Sequence, residues 1–330
     1  MTTTTTRLTA KRVYQATYDY CKKAGYIADL RKSLEVSEEE RFNKRTISQE
    51  GLDILDAVHC VDDKKRSMLF LSEITRSVKP GMSILEAGLG TGMLSFGAAI
   101  KQVKVVGLEI NQAIFKLAQK ILTALSIPLK LDIKNVYFQK ANAMKYKTKE
   151  KFDVIISENL YTGMFYEKQV QIMNHLSTFL KKNGITIPSA MRSGIVLSET
   201  RFPYVPKSQE LFVPLEIGKS LKITHLSKST TYSELIFSKK NALGVDISLN
   251  VPIMRSGHIN SVLVWSEVLL PSKRVIKRTD TTFLNNDIVI SLKKTMRVKK
   301  GETIQLTLRY KYGDKPNQAR IGLNSIGKIK

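Results

Sequence analysis

The spacing of hydrophobic positions changes twice along this chain. Up to about residue 78, apolar residues recur at intervals of three and four, which is the spacing of amphipathic helices. The segments with this spacing are VYQATYDYCKKAGYIADL, GLDILDAVHCV and KKRSMLFLSEITRSV. Pro80-Gly81 ends the pattern. We therefore predict a helical N-terminal region over residues 1–61, with one further helix before the first strand.

Between residues 62 and 188, short apolar stretches alternate with amphipathic ones. The stretches of strand length are MSILEAGL, VKVVGLEI, VYFQKANA, FDVIISEN and ITIPSA. The segments between them predict helices, the last of which covers residues 166–181. Strands separated by helices form βαβ units on a parallel sheet. The sequence thus predicts a Rossmann-like α/β domain over residues 62–188.

After Pro188 the chain is β-rich. Its apolar segments are short and separated by turn residues, and none has a convincing helical spacing. They include RSGIVLSET, KITHLS, ELIFSK, INSVLVWSEVLL and ETIQLTLRYKY. This pattern predicts an antiparallel β-barrel or sandwich domain over residues 189–330.

The composition fits a globular protein with two domains. The chain has 330 residues, of which 42% are hydrophobic, enough for two cores. No apolar stretch approaches the roughly 18 residues of a membrane helix, and MTTTTTRLTAKR lacks the apolar core of a signal peptide. We expect a soluble, cytoplasmic protein that binds no membrane. Its two cysteines and four histidines have neither disulfide nor metal-ligand spacing, so we expect no metal.

A glycine-rich turn follows the first predicted strand. In ILEAGLGTG, Glu86 ends the strand, and Gly88, Gly90 and Gly92 precede a helix that begins near Met93. Glycines allow a tight turn and close approach of the backbone to a ligand, while the helix N-terminus supplies amide donors. A dinucleotide fingerprint would need its third glycine three places after the second. The spacing E-x-G-x-G-x-G instead matches the S-adenosylmethionine loop of class I methyltransferases.

Two further polar residues follow neighbouring strands. Glu109 ends the second strand, in VKVVGLEIN, and is placed like the acid that binds both ribose hydroxyls in nucleotide sites on such sheets. Asn142 follows the third strand, where its side-chain amide can meet an adenine edge. Together with the glycine turn, these residues predict a site for S-adenosylmethionine.

The fourth strand leads into two carboxylates in an otherwise basic chain. Glu158 ends the strand, and Glu167 follows a loop of eight residues and opens the next predicted helix. Open α/β sheets bind ligands at the carboxyl ends of their strands, so the two side chains can converge beside the cofactor's methyl group. Facing carboxylates repel one another unless a cation lies between them, and a planar guanidinium suits both. The alternative is that one glutamate caps the helix and the other is a surface acid.

At this point the sequence resembles the protein arginine methyltransferase family. SENLYTGMFYE reproduces the family's double-glutamate loop, S-E-x8-E, while LEAGLGTGMLS and VVGLEIN are similar to its cofactor loop and ribose-binding acid. The stretch DKKRS places Arg66 where the family has an arginine that contacts the cofactor's carboxylate. The similarity covers about residues 62 to 310. It implies a class I methyltransferase fold with a β-barrel domain, and an acceptor held by Glu158 and Glu167.

Three features depart from the family's pattern. Phe283-Leu284-Asn285 stands where the family has a Thr-His-Trp loop, Thr162 replaces a tyrosine, and the span from Pro188 to Gly257 is short for the family's dimerisation arm. The acceptor and the oligomeric state, including a homodimer, are therefore left open.

The formal net charge of +24 indicates which partners the protein attracts. The electrostatic field of so basic a protein attracts RNA, DNA or other polyanions. The lysines, however, are spread along the whole chain without an aromatic-rich platform or a basic arm, so a lysine-rich composition is the preferred explanation.

Three hypotheses about function follow. The first is an S-adenosylmethionine-dependent N-methyltransferase whose acceptor is a guanidino or amino nitrogen, in a free arginine-like metabolite or a peptide arginine. The second keeps the cofactor and changes the acceptor to RNA or another anion. The third is a non-catalytic scaffold that retains the fold.

Overall fold

A computed structural model describes residues 2–35, 53–202, 212–214, 221–281 and 286–326. The stretch Phe283-Leu284-Asn285, singled out in the sequence, lies outside the described residues. Within the described ranges, no helix is both long enough and apolar enough to cross a membrane.

In the described part of the chain, four helices precede the first strand. They are α1 (Thr2–Lys23), α2 (Tyr26–Glu35), α3 (Ile54–Asp62) and α4 (Lys64–Ser77). Acidic side chains begin the last two: Asp53 accepts a hydrogen bond from the Asp56 amide at 3.0 Å, and Asp63 accepts one from the Arg66 amide at 3.1 Å. Such caps satisfy amide groups that have no partner within the helix. The helical N-terminal region agrees with the prediction.

A parallel sheet of five strands forms the middle of the chain. Its strands are β1 (Ser83–Ala87), β2 (Lys104–Glu109), β3 (Val136–Lys140), β4 (Phe152–Ser157) and β5 (Leu180–Ile187), in the order β3-β2-β1-β4-β5. The helices between them are α5 (Met93–Ala99), α6 (Gln112–Ser126) and α7 (Gln169–Leu176). Strand β1 pairs with β2 on one side and with β4 on the other, so the strand order reverses at β1. Sheets of this kind bind ligands at that point, outside the carboxyl ends of the strands.

The Rossmann-like fold is confirmed, but the helix predicted over residues 166–181 is shorter than expected. It covers only Gln169–Leu176. Tyr166 has a φ of 59°, in the left-handed region, so the helix cannot include it. At the other end a short 3-10 turn over Ser177–Phe179 leads directly into β5. Glu167 therefore precedes the helix rather than opening it.

Antiparallel strands dominate the described residues after Pro188, as predicted. One sheet contains β6 (Ala190–Arg201), β7 (Phe212–Pro214), β8 (Lys222–His225), β9 (Thr230–Ile236), β11 (Gly257–Leu269), β12 (Val275–Ile276) and β13 (Ile288–Val298). The other contains β10 (Gly244–Pro252), β14 (Thr303–Lys311) and β15 (Arg320–Ser325). The described strands pair as two open sheets and do not close into a barrel. The boundary predicted at residue 188 falls in the link between β5 and β6.

The loop from Glu158 to Glu167 lies where the parallel and antiparallel parts meet. Leu160 and Phe165 from this loop belong to the same buried core as residues of both sheets. The ring of Phe165 packs on that of Tyr310, with centroids 4.5 Å apart. The carboxyl ends of the parallel strands are thus covered on one side by the antiparallel part of the chain.

Candidate active site

A cavity of about 700 Å³ opens at the carboxyl ends of β1, β2 and β4. Eight of the predicted site residues line it: Arg66, Glu86, Gly88, Gly90, Glu109, Asn142, Glu158 and Glu167. Gly92, the ninth, does not. The topology brings these residues together although they span about 100 positions of sequence, because neighbouring parallel strands end at the same edge.

The glycine turn forms the floor of the cavity. Gly88 and Gly90 have φ angles of 79° and 53°, in the left-handed region that favours glycine. A Cβ on Gly88 would lie 2.5 Å from Oδ1 of Asn159, so glycine is also required for space. Asn159 crosses this position to donate a hydrogen bond to the Ala87 carbonyl at 3.1 Å.

Gly92 has a conformational role instead. It precedes α5 with a φ of 78°, and a Cβ there would lie 2.7 Å from the ring of Phe96. Glycine is thus needed to start the helix against that ring. The motif spacing predicts a cofactor contact for Gly92, whereas Gly92 is not among the residues that line the cavity.

Glu86 is buried at the end of β1. Its side chain accepts a hydrogen bond from the Ser95 hydroxyl, on α5. Burial raises the pKa of this carboxyl from its ordinary 4.5 to about 8, and the bond from Ser95 acts in the opposite direction. Glu86 is therefore mostly protonated at neutral pH.

Glu109 ends β2 with both carboxylate oxygens held in place. Oε1 accepts from the Asn111 amide at 2.8 Å, and Oε2 accepts from the Gly90 amide at 3.4 Å. Burial raises its pKa, while these backbone donors lower it. The bond from the Gly90 amide joins the acid to the glycine turn.

Asn142 stands at the far end of the cavity, beside a mainly apolar wall. Its Oδ1 accepts from the Met144 amide at 2.9 Å and caps a short 3-10 turn. The side-chain oxygen is therefore bound to the backbone, which leaves the amide NH2 to donate to a ligand. Apolar side chains surround this end: Ile110, Ile114, Ala141, Ala143 and Met144.

Arg66 and Glu158 form a buried ion pair across the cavity. Arg66 Nη2 contacts Glu158 Oε2, and the two side chains are only 4% and 8% exposed. Arg66 Nη1 also donates to the Cys60 carbonyl at 3.4 Å, whereas Nε is buried and has no hydrogen-bond partner among the described residues. The residue assigned to the cofactor's carboxylate and the first glutamate of the acceptor pair are therefore direct neighbours.

Gln169 fixes the start of the double-glutamate loop. This fully buried side chain accepts from the Ser157 hydroxyl at 2.8 Å and from the Asn159 amide at 3.2 Å. Its own amide donates to the Ser157 carbonyl at 2.7 Å. The backbone on both sides of Glu158 is thus bound to the first turn of α7.

Several residues of the wall were not predicted. Helix α3 contributes Ala57, Cys60 and Val61, and the turn after β14 contributes Asp314, Lys315 and Gln318. Burial raises the pKa of the Cys60 thiol. No sequence pattern marks these positions as parts of a site, because their place in the wall depends on how distant segments pack.

The cavity is acidic, although the chain is basic. Among the described residues that line it, five carry carboxyl groups, of which Glu86 is mostly protonated, against the three cations Arg66, Lys168 and Lys315. The formal charge of the whole chain is +24. An acidic pocket in a basic protein favours cationic ligands.

Fold and site together define a class I methyltransferase. Residues 78–248, just over half of the chain, match the family model described as a methyltransferase domain. The chain belongs to this methyltransferase family. The predicted class is confirmed: the protein is an S-adenosylmethionine-dependent methyltransferase.

Three proteins similar to this chain extend the comparison. An uncharacterized protein of Methanocaldococcus jannaschii is 26% identical over 264 residues, which are 79% of this chain and 93% of the relative. The PRMT1 enzyme-prozyme heterotetrameric complex of Trypanosoma brucei with AdoHcy matches with a TM-score of 0.66 at 13% identity, over 82% of this chain and 93% of that one. Protein arginine methyltransferase 10 of Arabidopsis thaliana matches with a TM-score of 0.59 at 12% identity, over 82% and 97% of the two chains. At such low identities the two structures show a shared fold, and the predicted resemblance is confirmed at that level.

The residues present fit S-adenosylmethionine. The cavity offers a carboxylate at Glu109, a guanidinium with an unpartnered buried nitrogen at Arg66, and glycine-turn backbone that approaches without side chains. The Glu109 carboxylate suits ribose hydroxyls, and the Arg66 guanidinium suits the cofactor's carboxylate. The glycine turn leaves space for the rest of the amino-acid moiety, and the apolar side chains beside Asn142 suit a purine ring.

Proposed function

We propose that this methyltransferase transfers a methyl group to a guanidino or amino nitrogen held between Glu158 and Glu167. The observation that carries the proposal is that both glutamates line the same cavity as the glycine turn and Glu109. A nitrogen between the two carboxylates would then lie within the space that also takes the methyl donor.

Each predicted cofactor residue has a proposed part in this arrangement. When bound, S-adenosylmethionine supplies an activated methyl group on a sulfonium. Glu109 accepts hydrogen bonds from the ribose hydroxyls, Arg66 binds the carboxylate, and Asn142 donates its amide NH2 to the adenine edge. Gly88 and Gly90 leave room for the amino-acid moiety, while Glu86 and Gly92 shape the turn behind them.

The charges of the site support a cationic acceptor. Among the described residues that line the cavity, carboxyl side chains outnumber cations even when the mostly protonated Glu86 is left out, so a guanidinium or ammonium can match the excess negative charge. A planar guanidinium presents several donors in a fork, which can bind two carboxylates and leave one nitrogen directed at the methyl carbon.

The reaction requires positioning and the removal of one proton. Transfer would form a bond from the acceptor nitrogen to the methyl carbon and break the bond from that carbon to the sulfonium sulfur, which would leave as a neutral thioether. The two glutamates would hold the nitrogen in line with the breaking bond, and such positioning supplies much of the rate enhancement. As the new N–C bond forms, the nitrogen loses a proton, which a glutamate of the pair accepts and passes to solvent.

RNA remains a second candidate acceptor because of the +24 charge. A phosphate backbone would be attracted to the exterior of the protein but repelled at the acidic cavity. Methylation of RNA that weakens steeply with added salt would support this alternative. A non-catalytic scaffold is disfavoured because the cofactor positions named above are occupied by suitable residues.

Isotope-labelled S-adenosylmethionine tests the proposal. The protein is incubated with free arginine, other guanidino and amino compounds, arginine peptides or RNA, and label transfer is measured. Glu158→Gln and Glu167→Gln should each lose transfer while keeping cofactor affinity by calorimetry. Glu150→Gln, which changes an exposed glutamate paired with Lys104, is the matched control and should keep both. Full transfer by Glu158→Gln would contradict the assignment of the pair.

A further inference from the structure

Both backbone polar groups of Gly163, in the double-glutamate loop, are held by the antiparallel part of the chain. The Gly163 amide donates to Ser266 Oγ at 2.9 Å, and the Gly163 carbonyl accepts from the Tyr310 hydroxyl at 2.8 Å. Ser266 lies on β11 and Tyr310 on β14, more than 100 residues further along the chain. The loop is therefore attached to strands from both antiparallel sheets.

Neighbouring residues of the loop make similar bonds. The Thr162 hydroxyl donates to the Asn286 carbonyl at 2.7 Å, and the Tyr166 amide donates to the Asp314 carbonyl at 3.0 Å. In return, the Gly313 amide donates to the Met164 carbonyl at 2.8 Å. Five hydrogen bonds thus hold residues 162–166 against strands or turns after β10.

The loop backbone needs such support. Gly163, Met164 and Tyr166 all have positive φ angles, of 66°, 56° and 59°. Two of these three residues are not glycine, and a side chain in the left-handed region costs free energy. Such backbone persists when the surrounding structure determines it strongly. The hydrogen bonds from the antiparallel strands meet this condition.

The bond from Tyr310 has a defined direction. Its hydroxyl lies 2.8 Å from that of Tyr232 and 2.8 Å from the Gly163 carbonyl oxygen. A carbonyl can only accept, so the single proton of Tyr310 points to Gly163 and the proton of Tyr232 points to Tyr310. Burial raises the pKa of Tyr310 well above its ordinary value, so the hydroxyl stays a donor across neutral pH.

We propose that Tyr310, supported by Tyr232, is a positioning residue for the methyl acceptor. It fixes Gly163 and thereby the separation of Glu158 and Glu167, which lie on either side of the held segment. Through Tyr310, the antiparallel part of the chain thus sets the geometry of the acceptor site. Tyr310 itself does not contact the acceptor. The inference rests on the proposed function for its link to acceptor binding, but the attachment of the loop can be tested without it.

The test compares two phenylalanine variants at neighbouring positions. Tyr310→Phe removes the hydroxyl that binds Gly163 and keeps the ring that packs on Phe165. Tyr312→Phe is the matched control, because it also removes a buried hydroxyl, which bonds to Ser233 and not to the loop. Both variants keep strand β14 and its packing.

Two readouts are measured. The first is amide hydrogen exchange of the segment 157–168, which should increase at least about tenfold in Tyr310→Phe and not in Tyr312→Phe, since one buried hydrogen bond is lost. The second is kinetics with whichever acceptor the wild type methylates. There, Tyr310→Phe should lower kcat/KM for the acceptor about tenfold and leave the affinity for S-adenosylmethionine unchanged by calorimetry.

The outcomes separate this inference from the proposed function. If no guanidino or amino compound is methylated by the wild type, the proposed function fails, and the exchange data alone decide whether Tyr310 holds the loop. If exchange of 157–168 is unchanged in Tyr310→Phe, or rises equally in Tyr312→Phe, the positioning role is overturned. An equal loss of cofactor and acceptor affinity would also overturn it, because that result indicates a general loss of structure.

Discussion

The ion pair between Arg66 and Glu158 allows a quantitative prediction. Glu158→Gln removes one charge of a pair whose side chains are 4% and 8% exposed. Breaking a buried pair on one side costs about 3 to 5 kcal/mol of unfolding free energy, because the remaining charge loses its partner. The glutamine oxygen can still accept a hydrogen bond, so we expect a loss near the lower end, about 3 kcal/mol.

A double-mutant cycle measures this energy. Glu158→Gln, Arg66→Met and the double variant are unfolded by denaturant without cofactor, and the free energies are compared with the wild type. The double variant leaves no buried charge of this pair, so its loss should be smaller than the sum of the two single losses by about 2 to 3 kcal/mol. In a thermal scan of a chain of this length, a loss of 3 kcal/mol corresponds to a Tm lowered by roughly 4 °C.

Cofactor binding supplies a second readout for the same variants. If Arg66 holds the cofactor's carboxylate, Glu158→Gln should bind S-adenosylmethionine at least as tightly as the wild type, because the guanidinium no longer has a competing carboxylate. Arg66→Met should bind it about tenfold to hundredfold less tightly, for want of a charge-assisted hydrogen bond. Additive stability losses in the cycle would refute the ion-pair reasoning, and equal cofactor affinities in wild type and Arg66→Met would refute the carboxylate assignment.

Three further predictions concern the cavity floor. Glu109→Gln should weaken S-adenosylmethionine binding about tenfold to hundredfold by calorimetry, because the variant loses the carboxylate that we propose accepts hydrogen bonds from both ribose hydroxyls. Unchanged affinity would contradict that role. Burial raises the pKa of Glu86 from 4.5 to about 8, so the folded state binds its proton more tightly than the unfolded chain and stability should fall as pH rises from about 4.5 to 8. The free energy of unfolding of Glu86→Gln should therefore increase relative to that of the wild type as the pH rises from about 4.5 to 8. A difference that stays constant with pH would refute the raised pKa of Glu86. Gly88→Ala should destabilise the protein more than Gly81→Ala. The two glycines have nearly equal φ angles, 79° and 81°, but a Cβ on Gly88 would lie 2.5 Å from Asn159, whereas the space around Gly81 is open. Equal losses of stability in the two variants would show that the contact with Asn159 has no cost.

The features predicted from sequence are those set by local patterns. Alternating apolar strands and amphipathic helices indicated the parallel sheet, because strand and helix periodicity depend on nearby residues. The glycine turn and Glu109 were also found in this way, since each directly follows a strand whose end defines the site.

The parts that were missed depend on distant packing. The pairing of Arg66 with Glu158 joins residues that no motif relates, and the bond from Tyr310 to Gly163 crosses 147 positions. The helix predicted from residue 166 was too long because Tyr166 is left-handed in the structure, and nothing in its identity signals that conformation. The ion pair, the hydrogen bond and the left-handed Tyr166 all depend on how segments distant in sequence pack together.

The most direct measurement of the central claim is label transfer from S-adenosylmethionine to the acceptor panel by wild type, Glu158→Gln and Glu167→Gln, with cofactor affinity measured in parallel. We expect the wild type to label a guanidino or amino compound or an arginine peptide. Each variant should bind the cofactor but transfer at least about a hundredfold less label, because a charged partner of the acceptor is lost. Label found only on RNA, or transfer by both variants at the wild-type rate, would contradict the central claim.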